Sequence, residues 1–293
     1  MRSRAAIGKR GGDGYARRVT KGTGMGAQAV RIGAVWDSTV EVLRGRAGIL
    51  ASLALLYLVV PAVAPSALAL AGGGAWGGAL VSLAQLVLVI VALLAIAAVA
   101  SDPAVGHARA QAIGWRRLGA GVIASLSIGL LFVGLLIPVL AVAYAFGVRA
   151  NEATAAMDVG AMTTAGLGVS SLVALGIAVL AIWLSARLLP VIPVVANEPL
   201  SFRSLHRSFA LTGGAGWRLV GVSLLYLVVA SIVTAAVTSV VGVLARLTLG
   251  EGGAALVIAL VSGLVSAGLA VVQGVFAARF YVAARDAIGE GAA

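Results

Sequence analysis

The sequence predicts an all-α, polytopic integral membrane protein, and three observations carry that prediction. Of the 293 residues, 61% are apolar and 11% are charged, well below the roughly 25% charge of water-soluble domains. The mean hydropathy of +1.09 is concentrated in six apolar stretches, each near the ~20 residues that a helix needs to cross ~30 Å of hydrocarbon. The basic residues alternate between connections: apart from Arg149, Arg187 and Arg246, every Lys and Arg precedes the first stretch, follows the last, or lies in every second loop.

Residues 1–24 come first. They hold both lysines, Lys9 and Lys21, together with Arg2, Arg4, Arg10, Arg17 and Arg18. With so little apolar surface to bury, this arm is expected to be disordered, and it lacks the continuous apolar run of a secretory signal. Two readings stand: a polybasic cytoplasmic arm, or upstream sequence ahead of a true start at Met25. The loss of lysine after Lys21 favours the second. A six-helix membrane domain is expected over 25–286, with a short tail over 287–293.

The six spans are expected at roughly 48–71, 76–100, 119–147, 167–189, 218–245 and 254–278. Gly72-Gly73-Gly74-Ala75 joins the first pair as a tight hairpin. Residues 148–166, with Glu152 and Asp158, join the third to the fourth. Leu249-Gly250-Glu251-Gly252-Gly253 turns the last pair. None of these connections has room for a catalytic domain. Basic loops stay cytoplasmic, so Arg109, Arg116 and Arg117 in the second connection, Arg203, Arg207 and Arg218 in the fourth, and Arg279 and Arg285 at the end predict that both termini are cytoplasmic.

The cytoplasmic segments look alike. Gly114-Trp115-Arg116-Arg117-Leu118-Gly119 and Gly216-Trp217-Arg218-Leu219-Val220-Gly221 share GWRxxG, each opening a span, and Leu-Leu-Tyr-Leu-Val-Val occurs at 55–60 and at 224–229. An internal repeat follows. Each odd-numbered span is preceded by a short amphipathic segment. In the first, Ile32, Trp36, Val40 and Leu43 share a face. In the second, Asp102-Pro103 reads as a cap with proline at the first helical position, and Gly114 as the stop. In the third, Phe202, Leu205 and Phe209 oppose Arg203 and Arg207, and Gly213-Gly214 ends the helix. Such helices lie in the headgroup layer with their basic face toward anionic lipid. The architecture predicted is three units, each an interfacial helix plus a membrane hairpin. Trp36, Trp115, Arg116, Trp217 and Arg218 read as interfacial anchors. Small residues four apart, among them Gly121, Ser125 and Gly129, read as helix-packing stripes.

The polar residues exclude more chemistry than they suggest. With no cysteine there is no disulfide and no thiolate metal site. All ten acidic residues lie outside the spans, which argues against a proton pump, whose coupling carboxylate sits inside the membrane. His107 and His206, with Asp102 and Glu198, match no ligand spacing. No catalytic, nucleotide or other cofactor motif is present, and the basic patches are too apolar in context for nucleic acid. Arg187 is the one ionisable residue within a span. Near a helix end it snorkels to phosphate at low cost; beside the break at Pro190 and Pro193 it alternatively binds an anionic headgroup between helices. Gln85 and Gln273 are expected to bond to neighbouring helices.

Arg187-Leu-Leu-Pro190, Pro193-Val-Val-Ala-Asn-Glu198, Arg207-Ser208-Phe-Ala-Leu-Thr212-Gly213 and Trp217-Arg218 resemble a pattern in six-helix bacterial membrane proteins. It is that of the glycerophosphodiester phosphodiesterase membrane-domain family. The resemblance implies a stand-alone membrane domain and carries no activity, because phosphodiesterase chemistry in full-length relatives belongs to a separate soluble barrel whose residues this chain lacks. The reading is a non-enzymatic protein of the bacterial inner membrane with a lipid-associated accessory or scaffolding role. The alternative is a carrier or flippase for a small anionic or lipid-like molecule. Arg187, Glu198 and Arg207 are the expected contacts to an anionic headgroup or ligand. Anionic membrane lipids are the expected partners, and an unidentified membrane-protein partner stays open.

Overall fold

A computed structural model describes residues 30–150, 157–158, 163–198, 203–214 and 216–290. The basic arm, the Met25 start, Glu152 and Phe202 lie outside these residues. The described chain is almost entirely helical: α1 (Ile32–Gly45), α2 (Ala47–Ala54), a π-helical turn (Leu55–Val59), α3 (Val60–Leu70), α4 (Ala75–Ser101), α5 (His107–Arg116), α6 (Leu118–Ala145), α7 (Thr164–Leu188), α8 (Val191–Asn197), α9 (Arg203–Leu211) and α10 (Gly216–Glu290). A two-residue antiparallel pair, Arg149–Ala150 with Met157–Asp158, interrupts the connection after α6.

Five stretches are long and apolar enough to cross a membrane: Ala47–Leu70, Ala75–Ser101, Leu118–Ala145, Thr164–Asn197 and Gly216–Gly289. The last contains the two final stretches expected from the sequence. It is two helices meeting at a kink, where Gly250 has φ 65° and ψ −176°. That backbone conformation is open to glycine and strained for other residues.

Packing is dense at one end of the bundle and sparse at the other. From Ile90 to Ala100 nearly every α4 side chain is buried, and α4 packs on α3, α5, α6, α8 and α10. Around it, one cluster joins Leu50, Leu53 and Tyr57 to Val91, Val99 and Val275. A second joins Val35, Leu211 and Leu219 to Phe276, Phe280 and Tyr281. A third joins Leu94 and Ala124 to Leu184, Val191 and Val195. These residues come from the starts of α2, α6 and α10 and the ends of α4, α8 and α10, the side bearing the basic connections. Toward the other side, large apolar residues such as Leu80, Leu130 and Leu172 are exposed, as hydrocarbon-facing positions require.

The repeated Leu-Leu-Tyr-Leu-Val-Val takes two forms. At 55–60 it opens as a π turn, and at 224–229 it stays α-helical. Pro61 follows the first copy and Ala230 the second. A proline ring collides with the carbonyl four residues back, here Tyr57, and widening the preceding turn relieves the collision.

Several local expectations are corrected. Asp102 does not cap α5: it ends α4, its Oδ1 accepts from the Ala104 N–H at 2.8 Å, and Gly106 occupies the cap position of α5. Gly114 does not stop α5, which continues to Arg116; a Cβ there would lie 2.8 Å from the Val91 carbonyl oxygen, so the glycine serves a close helix approach. The buried positions of α1 are Val35 and Thr39, with Val35 in one cluster with Phe276, Phe280 and Tyr281, while Trp36 is half exposed at the edge of this seam with its ring 6.3 Å from that of Phe276. The buried positions of α9 are Ser204, Ser208 and Leu211, with Leu205 and Phe209 half-buried against the third cluster. Gly121 is a close-packed position, where a Cβ would meet Ile90 and Leu94, but Gly129 faces open space. Gln85 and Gln273 make no hydrogen bond among the described residues, and Gln273 is exposed.

Candidate functional site

Proline and a salt bridge organise the opening of the site. Pro190 cannot donate to the helix, and α7 gives way to a turn at Leu189-Pro190. The chain then resumes as α8, whose Val191, Val194 and Val195 are fully buried. The fourth span therefore does not end at residue 189. Arg187 lies ten residues before Asn197, about 15 Å along a helical path.

Glu198 ends α8, and its backbone N–H donates to the Val194 carbonyl at 2.7 Å. Its Oε1 accepts from the Tyr281 hydroxyl of α10 at 2.9 Å and faces Nε of Arg207, on α9, at 3.6 Å. Its carbonyl is reached by Arg117 Nη1, from the α5–α6 junction, at 3.5 Å. One carboxylate thus joins three helices. The ion pair is partly exposed, with Arg207 34% and Glu198 22% open, so it contributes less than ~1 kcal/mol. The buried tyrosine hydroxyl contributes more.

Arg187 is brought near this group through its backbone. The Ser208 hydroxyl, one residue beyond Arg207, donates to the Arg187 carbonyl at 2.7 Å. The Arg187 guanidinium lies elsewhere, 5.2 Å from the centroid of the Trp183 ring and against Gly216, where a Cβ would come within 3.0 Å of Nη2. Its Nε is enclosed and has no hydrogen-bond partner. Of the three residues singled out in the sequence, two form an ion pair, and the third is a cation with no acidic partner among the described residues.

Glycine allows a close approach both near the end of α5 and at the start of α10. Gly114 abuts Val91 of α4, and Gly216 abuts Arg187 of α7. Counting back from Ser101 and from Asn197, Val91 and Arg187 stand at equal distances from the ends. Asn197 Nδ2 donates to Ser101 Oγ at 3.0 Å, tying those ends together. Where one arm of this arrangement has a fully buried valine, the other has an unpaired arginine.

Trp36 and Trp115 are about half exposed and Trp217 is 77% exposed; Arg116 and Arg218 are exposed beside them. Arg116 and Arg109 also edge a shallow depression of about 200 Å³ on α5. His107 and His206 open α5 and lie within α9, and no three His, Asp or Glu among the described residues gather to hold a metal ion.

Two residues absent from the sequence-derived set matter here. Tyr281 supplies the shortest contact to the Glu198 carboxylate, at 2.9 Å. Arg46, at the α1–α2 junction, donates through Nη1 to the carbonyls of Val99, Asp102 and Val105 at 2.9, 3.2 and 3.1 Å, and through Nη2 to that of Pro103. The only signal for Arg46 in the sequence is its place beside Gly45, at a junction matching that of Arg117. Comparison with protein-family models, curated proteins and solved structures gives no match.

Proposed function

We propose that this chain is a non-enzymatic protein of the bacterial inner membrane, with six spans, both termini cytoplasmic, and a lipid-associated accessory or scaffolding role. The kink at Gly250 supports counting α10 as two spans. The packing of α5 on α4, α9 on α8 and α1 on α10 supports three interfacial-helix-plus-hairpin units. The carrying observation is that the densely packed end coincides with the basic connections, edged by exposed Trp36, Trp115 and Trp217. Tryptophan favours the membrane–water boundary and arginine anionic headgroups. The resemblance to the glycerophosphodiester phosphodiesterase membrane-domain family agrees with this reading and lends it no phosphodiesterase activity.

Two experiments test it. Lipid co-purified with the full chain should be enriched in anionic phospholipid relative to the source membrane; an unchanged composition overturns the lipid role. The chain contains no cysteine, so Gly74→Cys and Arg109→Cys each introduce a single thiol. A membrane-impermeant reagent applied from outside should label the first and spare the second. The reverse pattern overturns the topology.

A second reading has its own observation. Arg187 is an unpaired cation at membrane depth where the matching position is Val91, and an ionisable residue there marks a substrate path more often than a packing position. A carrier or flippase for an anionic or lipid-like molecule follows. In proteoliposomes containing headgroup-labelled phosphatidylglycerol, Arg187→Ala should abolish movement between leaflets while the fold is kept. Equal rates in wild type and variant reject this reading.

A further inference from the structure

We propose that the cavity between α1 and the C-terminal end of α10 binds the phosphate of a phospholipid headgroup. The proposal rests on the reading that this end of the bundle lies in the headgroup layer. The cavity encloses about 420 Å³ and is lined by Arg31 and Ser38 of the α1 segment, by Arg279 and Asp286 of α10, and by apolar walls that include Val35 and Val282. Arg31 is exposed. Arg279 is half-buried, with Nε enclosed and no hydrogen-bond partner. Neither arginine side chain has an acidic partner among the described residues. The one carboxylate in the lining, Asp286, is engaged by Arg285 at 3.3 Å, and the Ser38 hydroxyl donates to the Val35 carbonyl at 2.9 Å. Two arginines without an ion-pair partner and one carboxylate engaged by Arg285 thus line one cavity, and a guanidinium fork matches phosphate oxygens.

Depth identifies the source of the phosphate. Trp36, next to Val35, packs its ring 6.3 Å from that of Phe276, and Phe276 lies one turn before Arg279. A half-exposed tryptophan at this level marks the boundary between hydrocarbon and headgroups. On α10 the lining runs from Arg279, one turn beyond Phe276, through Val282, Ala283 and Asp286, so the cavity opens on the C-terminal side of that boundary, at the level expected for lipid phosphates. A soluble phosphate would use only the cationic half of this lining.

The test is a titration of the full chain in detergent with phosphatidylglycerol, followed by native mass spectrometry. The parallel arms are diacylglycerol and an excess of inorganic phosphate. Phosphatidylglycerol should bind, diacylglycerol should not, and inorganic phosphate should leave bound lipid in place. Arg279→Ala and Arg31→Ala should each weaken binding about tenfold, the loss of one strong charge-assisted contact. Arg44→Ala, which removes the same charge from α1 outside the cavity, should change it less than about twofold. Arg31 is exposed, so its variant reports on the site even if Arg279→Ala unfolds. Equal weakening by Arg44→Ala means diffuse attraction and overturns the site, as does displacement of lipid by inorganic phosphate. Full binding in both cavity variants overturns the site and leaves the lipid role standing. Absence of any phosphatidylglycerol binding overturns both.

Discussion

Arg46 and Val99 are joined by a hydrogen bond of 2.9 Å from Nη1 to the backbone carbonyl, and the bond ties the start of the first apolar stretch to the end of the second. The last carbonyls of a helix have no partner within it, and a cation is favoured there by the helix dipole. Arg117 makes a looser version of the same contact to the Glu198 carbonyl at 3.5 Å. Arginines that set the charge bias of the chain are therefore also helix-end caps.

Arg46→Ala should lower stability in detergent by about 2–3 kcal/mol, since it strands carbonyls now held by a charged donor. Arg46→Lys should recover part of this, because one ammonium cannot reproduce a planar fork. Denaturant titration followed by circular dichroism measures both. A loss below about 0.5 kcal/mol for the alanine variant would show that water serves those carbonyls equally well.

Gly114→Ala should destabilise by about 1–3 kcal/mol, because its Cβ would meet backbone oxygen at 2.8 Å, an atom that cannot swing aside. Gly129→Ala, facing open space, should be neutral or stabilising by up to about 1 kcal/mol. Similar effects in thermal melts of the two variants would contradict the close approach of α5 to α4.

Tyr281→Phe should cost about 1–2 kcal/mol, since it removes the 2.9 Å hydroxyl contact to a carboxylate. Arg207→Ala should cost less, because its 3.6 Å ion pair is partly open to solvent. The order of the two values, read from chemical unfolding, is the prediction; its inversion would make the ion pair the principal hold on Glu198.

Gly250→Ala should destabilise by about 1–3 kcal/mol through the backbone alone. Nothing lies within 4 Å of a Cβ at that position, but the φ of 65° disfavours one. Gly289→Ala, also in open space and without a positive φ, is the matched control. Equal melting temperatures would show that the kink relaxes into a conformation alanine accepts.

Hydropathy placed the first three long helices within a few residues, because each depends on its own composition, while the fourth and the last run eight or more residues further than expected. The finer features depend on partners distant in sequence. Nothing around Arg46 announces that its acceptors lie at 99–105. Leu205 and Phe209 read as the apolar face of α9, yet Ser204 and Ser208 are the more buried, because α9 bonds through the Ser208 hydroxyl to the Arg187 carbonyl. The charge and proline pattern around Arg187, Glu198 and Arg207 marked a segment in which Glu198 and Arg207 form an ion pair. It did not show that Tyr281 joins Glu198, nor that α8 carries the helix beyond Pro190 and leaves Arg187 deeper than a chain-end position. The repeated hexapeptide was legible as a match in letters, and Pro61 gave one copy a different backbone.

The contact between Trp36 and Phe276 also sets an order of events during synthesis. Helix α1 is made long before its partner surface of Phe276, Phe280 and Tyr281. Until the final apolar stretch has entered the bilayer, Val35 lacks Phe276, Phe280 and Tyr281, and the cluster that contains it stays incomplete. Hairpins can insert one after another as they emerge, but this seam closes only when the late part of the chain arrives. A ribosome stalled before residue 276 would leave a chain without this seam.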